Sequence, residues 1–170
     1  MRGSKKAQGA QRPSDEEITA LYERCAPGVF RLCMSYLKNE QDSADALQET
    51  FLRWIEAPVR PLAGKHETAW LIVTAGNICK DMLRRRKNFS GEDMSALDQT
   101  VSEERGYADA ELFEAICSLD AKYKTVIFLF YYEDMTVAQI SEATGIKQST
   151  VTSLLTRARR LLKKALGDEL

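Results

Sequence analysis

The sequence predicts an all-α fold, an N-terminal helical bundle and a C-terminal helix-turn-helix bundle joined by an acidic linker. Three observations lead there. Apolar residues recur three and four positions apart on both sides of the middle of the chain, the period of a helix with one buried face. No strand–helix alternation and no internal repeat occurs anywhere. Between the two periodic regions, NFSGEDMSALDQTVSEERGYAD (88–109) is polar and acidic, with too little apolar surface to offset the entropy of ordering.

The elements follow in order. Residues 1–14 are basic, rich in small residues and without apolar periodicity, and are predicted to be a disordered tail. Ser14 followed by Asp15, Glu16 and Glu17 reads as a capped helix start, with acids in the first turn. That helix carries Ile18, Leu21, Tyr22, Phe30, Cys33, Met34 and Leu37, and Pro27 is expected to interrupt it. After a break at 38–42, a second helix holds Leu47, Phe51, Leu52 and Ile55. APVRPLAGK (57–65), with two prolines and a glycine, reads as a loop. A third helix, from about Glu67 to Arg86, buries Leu71, Ala75, Ile78 and Met82. The first domain is therefore 15–87, the linker 88–110 and the second domain 111–170. ELFEAICSLD and KYKTVIFLFYYE open that second domain as helices. VIFLFYY has the composition of a strand, but a lone strand would lack a partner.

The net charge of −1 over 170 residues conceals a division. Residues 88–114 carry −7, whereas RRRK (84–87) and RARRLLKK (157–164) are basic clusters. Local charge decides where a polyanion docks, so the balance of the whole chain excludes nothing. The four cysteines are scattered and His66 is the single histidine, which excludes zinc-site spacing and leaves buried thiols as the expectation. Few acid–base or nucleophile pairs exist, so the reading is a non-enzyme with no catalytic residues, metal or cofactor. No apolar run has the length of a membrane span and no signal-peptide pattern opens the chain, so a cytoplasmic protein is expected.

TVAQISEATGIKQSTVTSLL (136–155) fits a helix-turn-helix. Thr136 caps the first helix, Ile140 is its buried position, Ser141 is small where the helices cross, and Gly145 makes the turn. Val151, Leu155, Ala158 and Leu162 then form one apolar stripe on the second helix, with Leu154 and Leu161 at its border. In this motif the second helix enters the major groove by its N-terminal residues. Here those are Lys147, Gln148, Ser149, Thr150, Thr152 and Ser153, all able to hydrogen-bond to base edges, while Arg157 and Arg160 follow as phosphate contacts. An ordinary helical hairpin has the same apolar pattern.

LDAKYKTVIFLFYYEDMTVAQISEATGIKQSTVTSLLTRARRLL resembles the promoter-recognising C-terminal domain of bacterial RNA polymerase sigma factors, and most closely the extracytoplasmic-function (ECF) group. Ser149, Thr150, Val151, Ser153, Leu155, Arg157, Ala158 and Arg159 fit the frame G-T-V-K-S-R-L-x-R-A-R of its recognition helix. DSADALQETFLRWIE (42–56) resembles the helix that binds the polymerase clamp, usually D-A-E-D-x-x-Q-E-x-F; Asp42, Asp45, Gln48, Glu49 and Phe51 match. AWLIVTAGNICKDMLRRRK is similar to the helix that grips melted minus 10 DNA. There Asn77, Arg84, Arg85 and Lys87 are the implied contacts, joined by Lys65 and His66 from the loop before it. Asp81 reads as a structural partner for a nearby arginine, and Trp70 as core. Thr152 and Leu154 stand where the common form has Lys and Arg, and Gly76 where an arginine is frequent.

The resemblance implies binding to core RNA polymerase at clamp and flap, recognition of minus 10 and minus 35 promoter elements, and control by an anti-sigma factor. Two other classes remain open on the residues alone. A free-standing helix-turn-helix regulator explains the C-terminus but leaves 42–56 and 66–87 without a role. A helical adaptor that binds only protein treats the basic runs as solvated surface.

Overall fold

The computed structural model describes residues 8–9, 11–60, 64–90 and 110–167. Ser14 opens helix α1 (Asp15–Leu37) with a capping box: its hydroxyl accepts from Glu17 N and its own N–H donates to the Glu17 carboxylate. The expected interruption at Pro27 does not occur, since α1 runs straight through it. An interior proline costs roughly 3 kcal/mol, but Leu21, Cys25 and Ala26 before it and Val29, Leu32 and Cys33 after it are all buried. At ~1.5–3 kcal/mol for each large apolar side chain, burial on both sides outweighs the break.

Lys38, in the left-handed region at φ 51°, ends α1, and the Asn39 side chain caps α2 (Glu40–Glu56) by accepting from Asp42 N. The break is thus shorter than the sequence suggests. Ser43, Ala46, Leu47, Thr50, Phe51 and Trp54 form the buried stripe of α2. Its end leads into strand β2 (Val59–Arg60), which pairs antiparallel with strand β1 (Gln8–Gly9). This pair lies where the sequence predicts a disordered tail and a loop, and it is a minor addition to an all-α protein.

Helix α3 (Lys65–Ser90) begins earlier and ends later than expected. Leu71, Ile72, Ala75, Ile78 and Cys79 are buried, and Trp70 and Met82 pack against the core. The linker assigned to 88–110 overlaps the end of α3, and 91–109 lie outside the described residues.

The C-terminal bundle comprises α4 (Ala110–Cys117), α5 (Ala121–Tyr131), α6 (Val137–Thr144) and α7 (Gln148–Leu166). VIFLFYY is helical, with Val126, Ile127, Phe128 and Leu129 buried. All four cysteines are buried and free.

The two bundles also dock, with α5 against α1 and α3, α6 against α3 and α4 against α1. Their buried residues form one continuous cluster. Polar groups pin this seam. Tyr36 Oη donates to Ala121 O at 3.0 Å and lies 2.9 Å from Thr125 Oγ1. Lys124 Nζ donates to Ser35 O at 2.6 Å, and Lys65 Nζ to Asp134 O at 3.0 Å. The Arg31 guanidinium stacks on the Tyr132 ring at 4.9 Å.

Candidate nucleic-acid and polymerase interfaces

The helix-turn-helix forms as its residues dictate. Thr136 and Gln139 make a reciprocal capping box at the start of α6. Ile140 is fully buried, and Ser141 Oγ donates to Ile146 O across the turn. Gly145 closes α6 at φ 73°, a conformation in which a side chain would be strained. Beyond the turn, Val151, Leu155, Ala158 and Leu162 are buried.

Every residue expected to read or clamp DNA on α7 is exposed: Lys147, Gln148, Ser149, Thr150, Thr152, Ser153, Arg157 and Arg160. Thr152, Ser153 and Thr156 hydroxyls donate to the carbonyls of Gln148, Ser149 and Thr152, which leaves their oxygens as acceptors facing solvent. Arg159 has a different place: its Nε donates to Tyr131 Oη at 3.1 Å and its guanidinium lies 4.6 Å above the Phe130 ring.

On α3 the expected residues are divided. Asn77, Arg84, Arg85 and Lys87 are exposed along the helix. Arg84 pairs with Asp81 at 3.1 Å, the structural partnership read for Asp81. Lys65 and His66, read as loop residues, instead form the first turn of α3 after Gly64 (φ 78°). Lys65 faces the C-terminal bundle through Asp134, and His66 is half-buried.

On α2, Asp45, Gln48 and Glu49 are exposed on one face. Gln41 and Arg53 hold the two carboxylates in place at 3.2 and 2.9 Å. Asp42 departs from this set, because its half-buried carboxylate is paired with Arg86 of α3 and so ties the start of α2 to the end of α3. A shallow groove beside this face is lined by Tyr22, Leu47, Gln48, Phe51, Leu52 and Ile55.

Sequence reasoning missed Lys124 and the role of Gly76. Lys124 is 5% exposed, and its amine is pulled down to about 8, mainly by burial. A Cβ on Gly76 would lie 2.5 Å from Thr125 Oγ1. The available signal was a glycine inside a helix, where its entropy cost demands a reason. No group of three or more His, Cys, Asp or Glu residues is placed to hold a metal ion among the described residues.

A helix-turn-helix with a free polar face, joined to a three-helix bundle bearing an acidic face and a basic helix end, defines a DNA-binding transcription protein. Comparison with known proteins makes this specific. Residues 21–89 match the Sigma-70 region 2 family and residues 109–162 match Sigma-70, region 4. RNA polymerase sigma factor SigV of Bacillus subtilis is 30% identical over 141 residues, covering 82% of this chain and 85% of that protein. ECF RNA polymerase sigma factor SigL of Mycobacterium tuberculosis is 31% identical over 158 residues, 89% of each. The crystal structure of the sigma factor RpoE with the anti-sigma factor NepR from Bartonella quintana shares the fold, at TM-score 0.73 and 16% identity over 91% of this chain and 99% of that one. The chain belongs to the ECF RNA polymerase sigma factors and directs promoter-specific initiation of transcription.

Proposed function

We propose that this sigma factor binds core RNA polymerase through Asp45, Gln48 and Glu49 on α2, the clamp contact, with the C-terminal bundle meeting the flap. Under this reading α3 serves the minus 10 element through Asn77, Arg84, Arg85 and Lys87, with Lys65 and His66 at its entry. The helix α7 reads the minus 35 element through Lys147, Gln148, Ser149, Thr150, Thr152 and Ser153, with Arg157 and Arg160 on the phosphates. The domains proposed keep the bounds 15–87 and 111–170 read from sequence, with α3 running on to Ser90 and α4 beginning at Ala110. The observation that carries the reading is the exposed polar face of α7 opposite its buried stripe. Base edges reward hydrogen-bonding groups, and phosphates reward charge.

Asp42 is left out of the polymerase contact because Arg86 already occupies it. RNA synthesis belongs to the polymerase, and this chain supplies promoter choice. A partner of the anti-sigma class is proposed by analogy with the RpoE–NepR complex. A cytoplasmic place of action agrees with the described residues, none of whose helices is long and apolar enough to cross a membrane.

The test is run-off transcription and core-binding titration with an Asp45→Ala/Gln48→Ala double variant. Core affinity is expected to fall at least tenfold, with the helical signal intact. Unchanged affinity refutes the α2 assignment. Tight sequence-specific binding of the free wild-type protein to duplex DNA, without core, favours the self-sufficient regulator.

A further inference from the structure

Helix α1 carries none of the DNA contacts assigned above, yet one of its side chains reaches them. Arg24 projects from α1 onto the first turn of α3, where its guanidinium forms an ion pair with the Glu67 carboxylate. One residue on, Cys25 Sγ lies 3.6 Å from Thr68 Oγ1. Two consecutive residues of α1 thus hold two consecutive residues of α3. The Arg24 head is thereby fixed beside Lys65 and His66, which precede them in the same turn.

The two ends of this pair are buried unequally. The Glu67 side chain is 12% exposed, whereas the Arg24 side chain is 52% exposed. A carboxylate largely removed from water needs a partner. Left alone, it would also repel a polyanion approaching Lys65 and His66. Glu67 therefore accounts for a cation at this place, but not for one that keeps half its surface in water. A guanidinium has five N–H donors in a rigid planar fork. The ion pair uses one of its nitrogens, Nη2. The remaining donors can meet a phosphate oxygen while the first stays on Glu67.

We propose that Arg24 is a further DNA-binding residue, contributed by α1 to the entry of α3, where it grips a phosphate of the minus 10 strand from its place on Glu67. This rests on the minus 10 reading of α3 above. Lysine at 65 offers a point charge, and arginine at 24 offers an oriented fork. Glu67 acts on that fork in two opposed ways, since it orients the guanidinium and offsets part of its charge. Charge decides the balance, because α1 and α3 pack together along their lengths and keep the turn in place without the pair.

The test is the affinity of the holoenzyme for a promoter fragment recovered by run-off transcription, measured against salt, with cooperative thermal unfolding as the check on each variant. Arg24→Gln is expected to lower affinity about fivefold and to flatten the salt slope by roughly 0.7 to 0.9, the value of one phosphate contact. Glu67→Gln is expected to raise affinity about twofold without flattening the slope. Arg24→Gln/Glu67→Gln, which has no buried carboxylate left unpaired, is expected to keep the flattened slope. If Arg24 only buttresses α3, both single variants weaken binding alike at unchanged slope and the double variant recovers; that pattern overturns the contact. Wild-type affinity and slope in Arg24→Gln overturn it as well. Arg85→Ala/Lys87→Ala in the same assay separates this inference from the reading beneath it. If that protein loses affinity and slope while Arg24→Gln does not, the Arg24 contact alone fails. If neither protein changes, the minus 10 reading of α3 fails and the Arg24 contact falls with it.

Discussion

Helices α7 and α3 both carry residues expected on promoter DNA, yet they are built differently. Helix α7 has one buried face and one free face, and every expected contact is on the free side. Helix α3 is enclosed by α1 and α2 on one side and by α5 and α6 on another. Its candidate contacts survive only on the remaining flank and at its C-terminal end. A helix whose neighbours, here α4, α5 and α6, all lie along one face writes that face into its sequence as a period of 3.6, whereas a helix packed on two sides blurs that period. The difference can be tested at four points.

The largest effect is expected at the buried stripe of α7. Val151→Asp places a carboxylate with no partner on the fully buried stripe that Val151 shares with Leu155, Ala158 and Leu162, and should destabilise the protein by about 4 kcal/mol, read as a lowered denaturation midpoint. Thr152→Asp, one residue on and exposed, should change stability by less than about 0.5 kcal/mol. Similar losses from both would mean that α7 lacks the two-faced character on which its DNA assignment depends.

The next effect concerns what α3 is covered by. Lys124 of α5 is buried against Cys79 of α3, Cys117 of α4 and the Tyr36 ring, with Lys38 and Asp120 also in its field. Its amine falls from 10.5 to about 8, chiefly through burial. A lowered base pKa means that the charged form is penalised in the folded protein. The penalty is complete below about pH 8, where the amine is charged in folded and unfolded states alike, and it fades between pH 8 and 10.5 as the folded protein releases its proton first. Lys124→Met should therefore be the more stable protein at pH 7 by about 2 kcal/mol. That is the ~3 kcal/mol penalty less the lost bond to Ser35 O. The advantage should vanish by about pH 10. A difference that is flat in pH, with the cysteines common to both proteins, would show that α5 does not bury this amine.

How much of this was legible follows from the same contrast. Ser14, Thr136, Gly145 and the Val151–Leu162 stripe act within four residues of themselves, so local pattern was enough. Helix α1 crossing Pro27 depends on burial supplied from α2 and α3, which no local rule contains. Asp42 matched the polymerase-binding pattern by position, but Arg86, 44 residues away, takes its carboxylate. Gly76 was visible as a departure, a glycine where an arginine is frequent, but nothing local showed that its neighbour across space is Thr125. The features that local pattern did not foretell are those whose partners come from another helix.

Asp42 supplies the third and smaller effect. Asp42→Ala removes a half-buried ion pair and leaves Arg86 without it, at a cost of about 1 kcal/mol in stability. Core-polymerase affinity should remain within twofold, in contrast to the Asp45→Ala/Gln48→Ala protein. An affinity loss matching that of the double variant would return Asp42 to the polymerase surface and weaken the division between α2's outward face and its tie to α3.

The smallest effect compares one arginine from each helix. Arg157 on α7 is exposed, and Arg84 on α3 is exposed but paired with Asp81 at 3.1 Å. Counterion release makes the salt dependence of DNA binding count phosphate contacts, with a slope of roughly 0.9 per contact on duplex and 0.7 on single strands. In a polymerase–promoter complex, Arg157→Ala should lower affinity about fivefold across promoter sequences and flatten the salt slope by about one unit. Arg84→Ala should do less, because Asp81 already offsets part of its charge and the pair must open before a phosphate can enter. Arg84→Ala/Asp81→Asn then separates the causes. If the pair is what mutes Arg84, Asp81→Asn alone should steepen the slope, and the double variant should behave as Arg84→Ala. Equal slopes for Arg157→Ala and Arg84→Ala would mean that α3 releases its ion pair with Asp81 on binding, and that the pairing does not set its part on DNA.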